Sequence, residues 1–323
     1  MAKVLILKPL HEAGLSLLTA RSDVELIRID APTPEAILDV IADIDVICIK
    51  NTPLTIEMLE KARALRAVSK HGVGLDNLPM ASLSARGIPV ATVGDANAGS
   101  VAEHALMLML ALSRRVMHYD ARARAGGYIN DPDWPTHEVA GKRLLLIGVG
   151  RIGGRVARLA QAFGMEVAAF DPVADAAALA DLGIAREADL MAALGRADIV
   201  SLHCPLTPET DGLMNAERLA AMKSGAFLVN TARGELIDEA ALLEALPDRG
   251  GRLGGAGLDV FAVEPPQPEN PLFASPYILA SPHSAALTVE TGLRMARITA
   301  ENALAALDGT LDARLIANHK EIR

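Results

Sequence analysis

Three polar side chains in the C-terminal part of the chain could together bind a carboxylate-bearing substrate and transfer a proton to or from it. Arg233, Glu264 and His283 each stand a few residues after a short apolar run. Histidine titrates near neutrality and can give or take a proton. A neighbouring carboxylate stabilises imidazolium, and arginine binds a carboxylate with a planar pair of donors. This set predicts His283 as general acid–base, Glu264 as its partner and Arg233 as the carboxylate-binding residue.

Each of these residues also has a plainer interpretation. Arg233 could be a surface cation, Glu264 a loop carboxylate and His283 a structural imidazole. Polar residues at strand ends suggest a site without proving one, so spacing alone leaves both interpretations open.

A glycine-rich turn offers a site for a phosphate-bearing cofactor. The apolar run Leu144–Ile147 leads into Gly148, Gly150 and Gly153 with the spacing G-x-G-x-x-G, and a helical stretch follows. In this context the first glycine makes the tight turn, the second admits a pyrophosphate and the third packs the helix on the strand. The helix N-terminus then presents free N–H groups to the phosphates. The pattern predicts a dinucleotide site.

An acidic residue supports that prediction. Asp171 ends the next strand, Val167–Phe170, and lies 18 residues after Gly153. A carboxylate about 20 residues from the glycines binds the ribose hydroxyls, and its charge repels a 2′-phosphate. We therefore expect NAD rather than NADP. The alternative is a glycine turn followed by an acid that binds nothing.

The elements around these residues alternate between strands and helices along the whole chain. This rhythm predicts the α/β class, with parallel sheets covered on both faces. A capping box at Ser100 and Glu103 predicts that a helix starts there. Residues 118–141 are expected to be an extended surface segment. Residues 288–308 should form the last helix, with one apolar face. The expected strands are Val4–Leu7, Val24–Ile29, Val46–Ile49, Ala67–Ser69, Val90–Thr92, Leu144–Ile147, Val167–Phe170, Ile199–Leu202, Phe227–Asn230, Ala256–Asp259 and Tyr277–Ala280.

Composition narrows the possible partners. The 323 residues carry a net charge of −9, and 51% of them are apolar. The sequence contains no run of basic residues, so nucleic acid and anionic membranes are not expected as partners. No apolar run reaches the length of a membrane span. Cys48 and Cys204 lie in apolar runs without metal-ligand spacing, so we expect inert thiols, no metal and a reducing compartment. The N-terminal residues lack the long apolar core and the cleavage site of a signal peptide, so a cytoplasmic location is expected.

Several motifs together resemble the D-isomer-specific 2-hydroxyacid dehydrogenase family over nearly the whole chain. They are His71–Asn77, Asn97–Glu103, the glycine fingerprint, His203–Thr207, Thr231–Gly234, Gly257–Phe261 and Pro282–His283. The resemblance implies a hydride transfer between the nicotinamide of NAD and C2 of a small D-2-hydroxy or 2-oxo acid. It implies Arg233, Glu264 and His283 as the catalytic trio, and Val73 and Gly74, with Arg233 and His283, as substrate-binding residues.

The resemblance also implies a cofactor site and a domain plan. Two Rossmann-like, doubly wound domains would be separated by a cleft: a discontinuous substrate-binding domain at 1–98 and 287–323, and an NAD-binding domain at 99–286. Members are usually homodimers, here through the helix from Ser100 and the segment around Trp134. The implied cofactor-binding residues are Gly148, Gly150, Arg151, Ile152, Gly153, Asp171, Cys204, Pro205, Thr231, Ala232, Asp259, Ser284, Ala285 and Ala286.

The substrate and one other function stay open. Relatives that act on phosphorylated acids often have arginine near the position of Asn51, and here only Lys50 is close. We therefore expect phosphorylated substrates to be poor, although a D-3-phosphoglycerate dehydrogenase, or a hydroxypyruvate or glyoxylate reductase, remains an alternative. A different class is an NAD-sensing, corepressor-like binding protein, which measurable turnover would distinguish from an enzyme.

Overall fold

The computed structural model describes residues 1–129 and 131–322; Asn130 and Arg323, which belong to the predicted 118–141 segment and the predicted 287–323 domain segment, lie outside the described residues. The chain divides into two compact units. The first comprises Met1–Asn97 and Leu287–Arg323, and the second comprises Ala98–Ala286.

Regular elements alternate in both units. The strands are β1 (Ala2–Leu7), β2 (Val24–Ile29), β3 (Val46–Ile49), β4 (Ala67–Lys70), β5 (Val90–Ala91), β6 (Arg143–Ile147), β7 (Glu166–Phe170), β8 (Ala185–Arg186), β9 (Ile199–Leu202), β10 (Phe227–Asn230), β11 (Gly255–Leu258) and β12 (Ile278–Ala280). The α-helices are α1 (Glu12–Thr19), α2 (Pro34–Val40), α3 (Ile56–Lys61), α4 (Met80–Ala85), α5 (Ala98–Ser113), α6 (Val116–Arg124), α7 (Gly153–Ala162), α8 (Ala176–Asp181), α9 (Leu190–Leu194), α10 (Ala216–Ala221), α11 (Glu239–Ala245) and α12 (Val289–Asp308). Short 3₁₀ helices lie at Ile41–Asp43, Gly234–Leu236, Pro247–Arg249, Pro271–Ala274 and Ala313–Leu315.

Each unit contains one parallel sheet. The first has the strand order β2-β1-β3-β4-β5, and the second has the order β12-β11-β10-β9-β6-β7-β8. All of their strand pairs are parallel. The predicted α/β class with two doubly wound parallel sheets is confirmed.

The central strands of both sheets are buried on their two faces, which explains their continuous apolar runs. In β1, Val4 and Ile6 pack into one hydrophobic cluster while Leu5 and Leu7 pack into another on the opposite face. Leu144 and Leu145 of β6 divide in the same way between the two clusters of the second unit. Side chains alternate across a strand, so burial on both sides requires an apolar residue at every position.

The strand orders fix where ligands can bind. A doubly wound sheet binds ligands beyond the carboxyl ends of its strands, where the strand order reverses. In the second unit the strand order reverses between β6 and β9. The glycine turn follows the carboxyl end of β6, and Cys204 follows that of β9. In the first unit the reversal lies between β1 and β3, which lead into Lys8 and Lys50.

The structure corrects the predicted start of α5. The helix begins at Ala98, two residues before the predicted cap. Ser100 is therefore a helical residue, and its hydroxyl donates to the carbonyl of Ala285 instead of capping. The capping-box pattern was misleading because a tertiary acceptor satisfies the serine.

The segment 118–141 is only partly irregular. Its first residues continue α6, and Trp134 is packed rather than free on the surface. The Trp134 ring stacks between His118, at a centroid distance of 4.5 Å, and Tyr277, at 4.8 Å. Proline and glycine content indicated the loop but not this aromatic packing.

The predicted apolar face of α12 is correct from Ala296 onward and wrong at its start. Ala296 and Ala300 are fully buried, and Leu304 and Leu307 pack against the same hydrophobic cluster. The first two residues predicted for this face lie outside the core, since Val289 is 77% exposed and Leu293 is 38% exposed. An added Cβ on Gly14 of α1 would collide with the Ala296 carbonyl oxygen, so α1 and α12 approach closely at this point.

Candidate active site

His283 and Glu264 form a directly hydrogen-bonded pair. Nδ1 of His283 lies 2.7 Å from Oε2 of Glu264, and Oε1 of Glu264 accepts the N–H of Phe261 at 3.2 Å. The bond to Glu264 raises the pKa of His283 despite partial burial. Burial alone would raise the pKa of Glu264, but the bond and charge of His283 lower it. The pair therefore favours an imidazolium beside a carboxylate.

The other ring nitrogen of His283 is available for chemistry. Nε2 of His283 makes no hydrogen bond within the described chain, and half of the side chain is exposed. Because Glu264 accepts from Nδ1–H, Nε2 is the atom that can exchange a proton with a substrate.

The Asp259 carboxylate holds the loop that carries His283. It accepts from the Ser281 hydroxyl at 2.6 Å and from the backbone N–H groups of Ser284 and Ala285 at 2.8 and 3.0 Å. The Asp259 carbonyl accepts the N–H of His283 at 2.7 Å. These bonds offset the cost, on the order of 1–3 kcal/mol, of holding His283 in a left-handed backbone conformation with φ 52°.

Asn230 fixes the loop of Arg233. The fully buried Asn230 amide donates to the Arg233 carbonyl at 2.7 Å and accepts the N–H of Ala232 at 3.0 Å. The Arg233 guanidinium lowers the pKa of both Glu264 and His283, which places its charge near the pair. The structure therefore brings Glu264 and His283 into contact, and the charge of Arg233 acts on both.

Gly234 allows the Arg233 and Glu264 loops to meet. An added Cβ would lie 1.9 Å from the Phe261 carbonyl carbon. No side chain fits there without moving the backbone, so glycine at this position brings the two loops into contact.

The glycine turn has the geometry that its spacing predicts. Gly148 adopts φ +92°, and a Cβ on it would lie 2.8 Å from the Cys204 nitrogen. A Cβ on Gly153 would lie 2.3 Å from the Gly148 oxygen, whereas one on Gly150 would meet nothing within 4 Å. Asp171 accepts the N–H of Val149, within this turn, at 2.8 Å.

Two further features of this region fit a dinucleotide cofactor. Side chains cap most other helices, namely those that follow His11, Thr33, Thr55, Asp175, Asp189, Asn215, Asp238 and Thr288. No side chain caps α7, so its first N–H groups can face an anion. The Thr231 hydroxyl is buried without a hydrogen-bond partner, which suits a polar group supplied by a ligand.

The remaining predicted residues lie at the carboxyl ends of strands. Cys204 and Pro205 follow β9, and Thr231 and Ala232 follow β10. Ser284, Ala285 and Ala286 lie on the His283 loop, while Val73 and Gly74 belong to the first unit, after β4. Burial raises the pKa of Cys48 to about 12 and that of Cys204 to about 11, so both thiols stay protonated.

Two other histidines have structural surroundings. Nε2 of His104 lies 2.9 Å from the Ser281 hydroxyl, which itself donates to Asp259. Burial lowers the pKa of His203 to about 4 beside Ser201. Sequence reasoning did not find the anchoring roles of Asn230, Gly234 or Ser281. Only the proximity of Asn230 and Gly234 to Arg233 in sequence could have indicated them.

Within the described ranges, no cluster of three metal-ligating side chains occurs. Among the described helices, none combines the length and apolar character that a membrane crossing requires.

Comparison with known proteins identifies the family. Residues 106–285 match the model of the D-isomer specific 2-hydroxyacid dehydrogenase, NAD binding domain. The chain belongs to the D-isomer-specific 2-hydroxyacid dehydrogenase family. The resemblance inferred from the motifs is confirmed, and the family supports a nicotinamide cofactor.

Three similar proteins illustrate the range of this family. The D-3-phosphoglycerate dehydrogenase of Methanocaldococcus jannaschii is 37% identical over 96% of this chain, which spans 58% of that protein. The glyoxylate reductase of Korarchaeum cryptofilum is 34% identical over 97% of this chain and 95% of its own length. The D-lactate dehydrogenase of Aquifex aeolicus, solved with NAD and lactic acid, has a TM-score of 0.85 and 28% identity, covering 95% of this chain and 96% of that one.

Proposed function

We propose that this protein is an NAD-dependent dehydrogenase that interconverts a small D-2-hydroxy acid and its 2-oxo acid. The observation that carries the proposal is the 2.7 Å contact of His283 with Glu264, with the charge of Arg233 nearby. This set provides a proton carrier and a carboxylate-binding group in one place.

The residues divide the chemistry among them. NAD would supply or accept the hydride at C2. In the reductive direction His283 donates the proton on Nε2 to the carbonyl oxygen, and in the oxidative direction it takes the proton of the hydroxyl. Glu264 stabilises the imidazolium, and Arg233 holds the substrate carboxylate with charge-assisted hydrogen bonds.

The cofactor would lie on the second unit. The glycine turn and the N-terminus of α7 would hold its pyrophosphate, and Asp171 its adenosine ribose. Thr231 would give its unpartnered hydroxyl to the cofactor. We assign this unit as the NAD-binding domain and the first unit, which contains the predicted substrate-binding residues Val73 and Gly74, as the substrate-binding domain.

Oxidation of NADH with a panel of 2-oxo acids tests the proposal. The panel contains glyoxylate, pyruvate, hydroxypyruvate and phosphohydroxypyruvate, and His283→Ala should lower kcat by ~10²–10⁴. NADH affinity should change little, because its proposed contacts lie elsewhere. A wild-type protein that binds NADH without turning over any 2-oxo acid would instead favour the NAD-sensing, corepressor-like alternative.

A second candidate, D-3-phosphoglycerate dehydrogenase activity, is favoured by a cationic cluster in the first unit. Lys8 and Lys50 follow β1 and β3, where the strand order reverses. Burial and the charge of Lys8 lower the pKa of Lys50, and Lys70 donates to the Lys50 carbonyl. This positive charge argues against the expectation, from the missing arginine near Asn51, that phosphorylated substrates are poor.

A charge-removing variant decides between the two substrate classes. If Lys50 binds a phosphate, Lys50→Met should lower kcat/KM for phosphohydroxypyruvate about tenfold or more, the worth of a charge-assisted bond. Turnover of hydroxypyruvate should change little. Lys61→Met on α3, which removes an exposed lysine from the same unit, is the matched control. Equal effects on both substrates would argue against phosphate recognition.

We also propose a homodimer in a reducing, cytoplasmic compartment. Exposed apolar side chains on α5 and α6, Met107, Val116 and Met117, support the first part. The two protonated thiols, Cys48 and Cys204, are compatible with the second.

A further inference from the structure

The loop that carries Glu264 has no regular secondary structure of its own. Between β11 and the 3₁₀ helix at Pro271–Ala274 the chain contains no helix or strand, and Glu264 is exposed. The Glu264 carboxylate must nevertheless stay within 2.7 Å of Nδ1 of His283.

Two carboxylates accept hydrogen bonds from consecutive backbone N–H groups of this loop. The N–H of Phe261 donates to Glu264, and the next N–H, that of Ala262, donates to Oε1 of Glu239 at 2.8 Å. Oε2 of Glu239 accepts from the side-chain amide of Asn270 at 3.1 Å. Glu239 therefore holds the loop on both sides of Glu264.

Both ends of this clamp are themselves fixed. Glu239 is the first residue of α11, whose N-cap Asp238 accepts the N–H of Ala241 at 3.0 Å. The Asn270 oxygen accepts the N–H of Leu272 at 3.0 Å, which orients its amide nitrogen toward Glu239. The carboxylate thus connects a capped helix to a loop that has no regular structure.

From these contacts we infer that Glu239 is a positioning residue that holds the Glu264 carboxylate against His283. Glu239 bonds neither to His283 nor to Glu264; it acts on the loop between Phe261 and Asn270. Its effect on turnover rests on the proposed function, whereas its effect on the geometry of the pair does not.

Loss of Glu239 should change the titration of His283. The charged groups that act on His283 are Glu264 and Asp259, which raise its pKa, and Arg233, which lowers it. If the loop loosens and Glu264 withdraws, its bond and charge are lost first, while Asp259 and Arg233 stay on their own anchored loops. The pKa of His283 should then fall.

The variants Glu239→Ala and Glu239→Gln test this inference. Alanine removes both acceptors. Glutamine can still accept from Ala262, but its amide nitrogen would face the amide nitrogen of Asn270, so a smaller effect is expected. Glu244→Gln, at an exposed position of the same helix, is the matched control. Thermal melting establishes that each variant is folded.

The first readout is the pKa of His283 in the full chain, measured by NMR titration and assigned with His283→Gln. We expect the value to fall in the order wild type, Glu239→Gln, Glu239→Ala, with Glu244→Gln unchanged. The second readout is kcat against pH for 2-oxo acid reduction. For a fall of one unit in pKa, kcat on the alkaline side should drop about tenfold, while KM should change little because Arg233 keeps its anchor on Asn230.

The outcomes separate this inference from the proposed function. An unchanged pKa of His283 in folded Glu239→Ala would overturn the inference, even if the enzyme is active. If that variant does not fold, an unchanged pKa in Glu239→Gln has the same meaning. A lowered pKa in a protein that turns over no 2-oxo acid would uphold the positioning role and reject the dehydrogenase.

Discussion

Glu264 supplies both a hydrogen bond and a negative charge to His283, and substitution by glutamine removes only the charge. The bond to Glu264 and the charge of Glu264 both raise the pKa of His283, and because glutamine removes the charge, Glu264→Gln should lower that pKa. Reduction requires imidazolium and is lost as pH rises through this pKa, so its alkaline limb should move to lower pH. Oxidation requires neutral imidazole, so its acidic limb should move the same way. Profiles of kcat/KM in both directions check this sign, and opposite shifts would contradict the assignment.

We expect Asp171 to determine whether the protein prefers NADH or NADPH. Its carboxylate also accepts the N–H groups of Val149, Val173 and Ala174, which hold its charge beside the glycine turn. A 2′-phosphate would meet this charge, so kcat/KM should be higher with NADH than with NADPH. Asp171→Ala should reduce that preference and also weaken NADH, because the turn loses an acceptor. Equal use of both dinucleotides by the wild type would contradict the prediction.

The bounds of the central strands could be predicted from the sequence because burial on both faces gives an uninterrupted run of apolar residues. Val46–Ile49, Ile199–Leu202 and Phe227–Asn230 match the structure at both ends. The two-residue strand β8, Ala185–Arg186, is exposed and has no such run, so it was missed. The trio could be proposed because Arg233, Glu264 and His283 each follow a predicted strand; these strands are Phe227–Asn230, Ala256–Asp259 and Tyr277–Ala280. Its anchors, such as Asn230 and Glu239, act through tertiary hydrogen bonds that leave no periodic signal.

The start of α12 was harder to predict than the rest of the helix, because an apolar period does not show where along a helix the packing contacts begin. Val289 and Leu293 fit the period but lie outside the core, whereas Ala296 and Ala300 are buried, with Ala296 against α1. Ala300→Leu should therefore overpack the first unit and cost about 1–3 kcal/mol. Val289→Ala, at a 77% exposed position, should stay within about 0.5 kcal/mol. The midpoints of thermal unfolding compare the two variants, and a larger loss for Val289→Ala would contradict the exposed position of Val289.

For the whole molecule, the sequence predicted two units and a dimer, and the structure adds the residues with which the dimer can be tested. Met107, Val116 and Met117 are apolar side chains on α5 and α6 that are 44%, 48% and 63% exposed. If a second copy covers this surface, light scattering at micromolar concentration should give about twice the chain mass of 33.9 kDa. Met117→Asp would place a charge in that apolar interface and should shift the mass toward that of one chain.

Met191→Asp is the matched control, since Met191 is also exposed but lies on α9, outside this surface. It should leave the mass unchanged. A wild-type mass of one chain would refute the dimer, and a dimer that both variants leave intact would place the interface on another surface. Because the trio lies within one unit of a single chain, turnover by a monomeric Met117→Asp variant would show that the proton transfer itself needs no second copy.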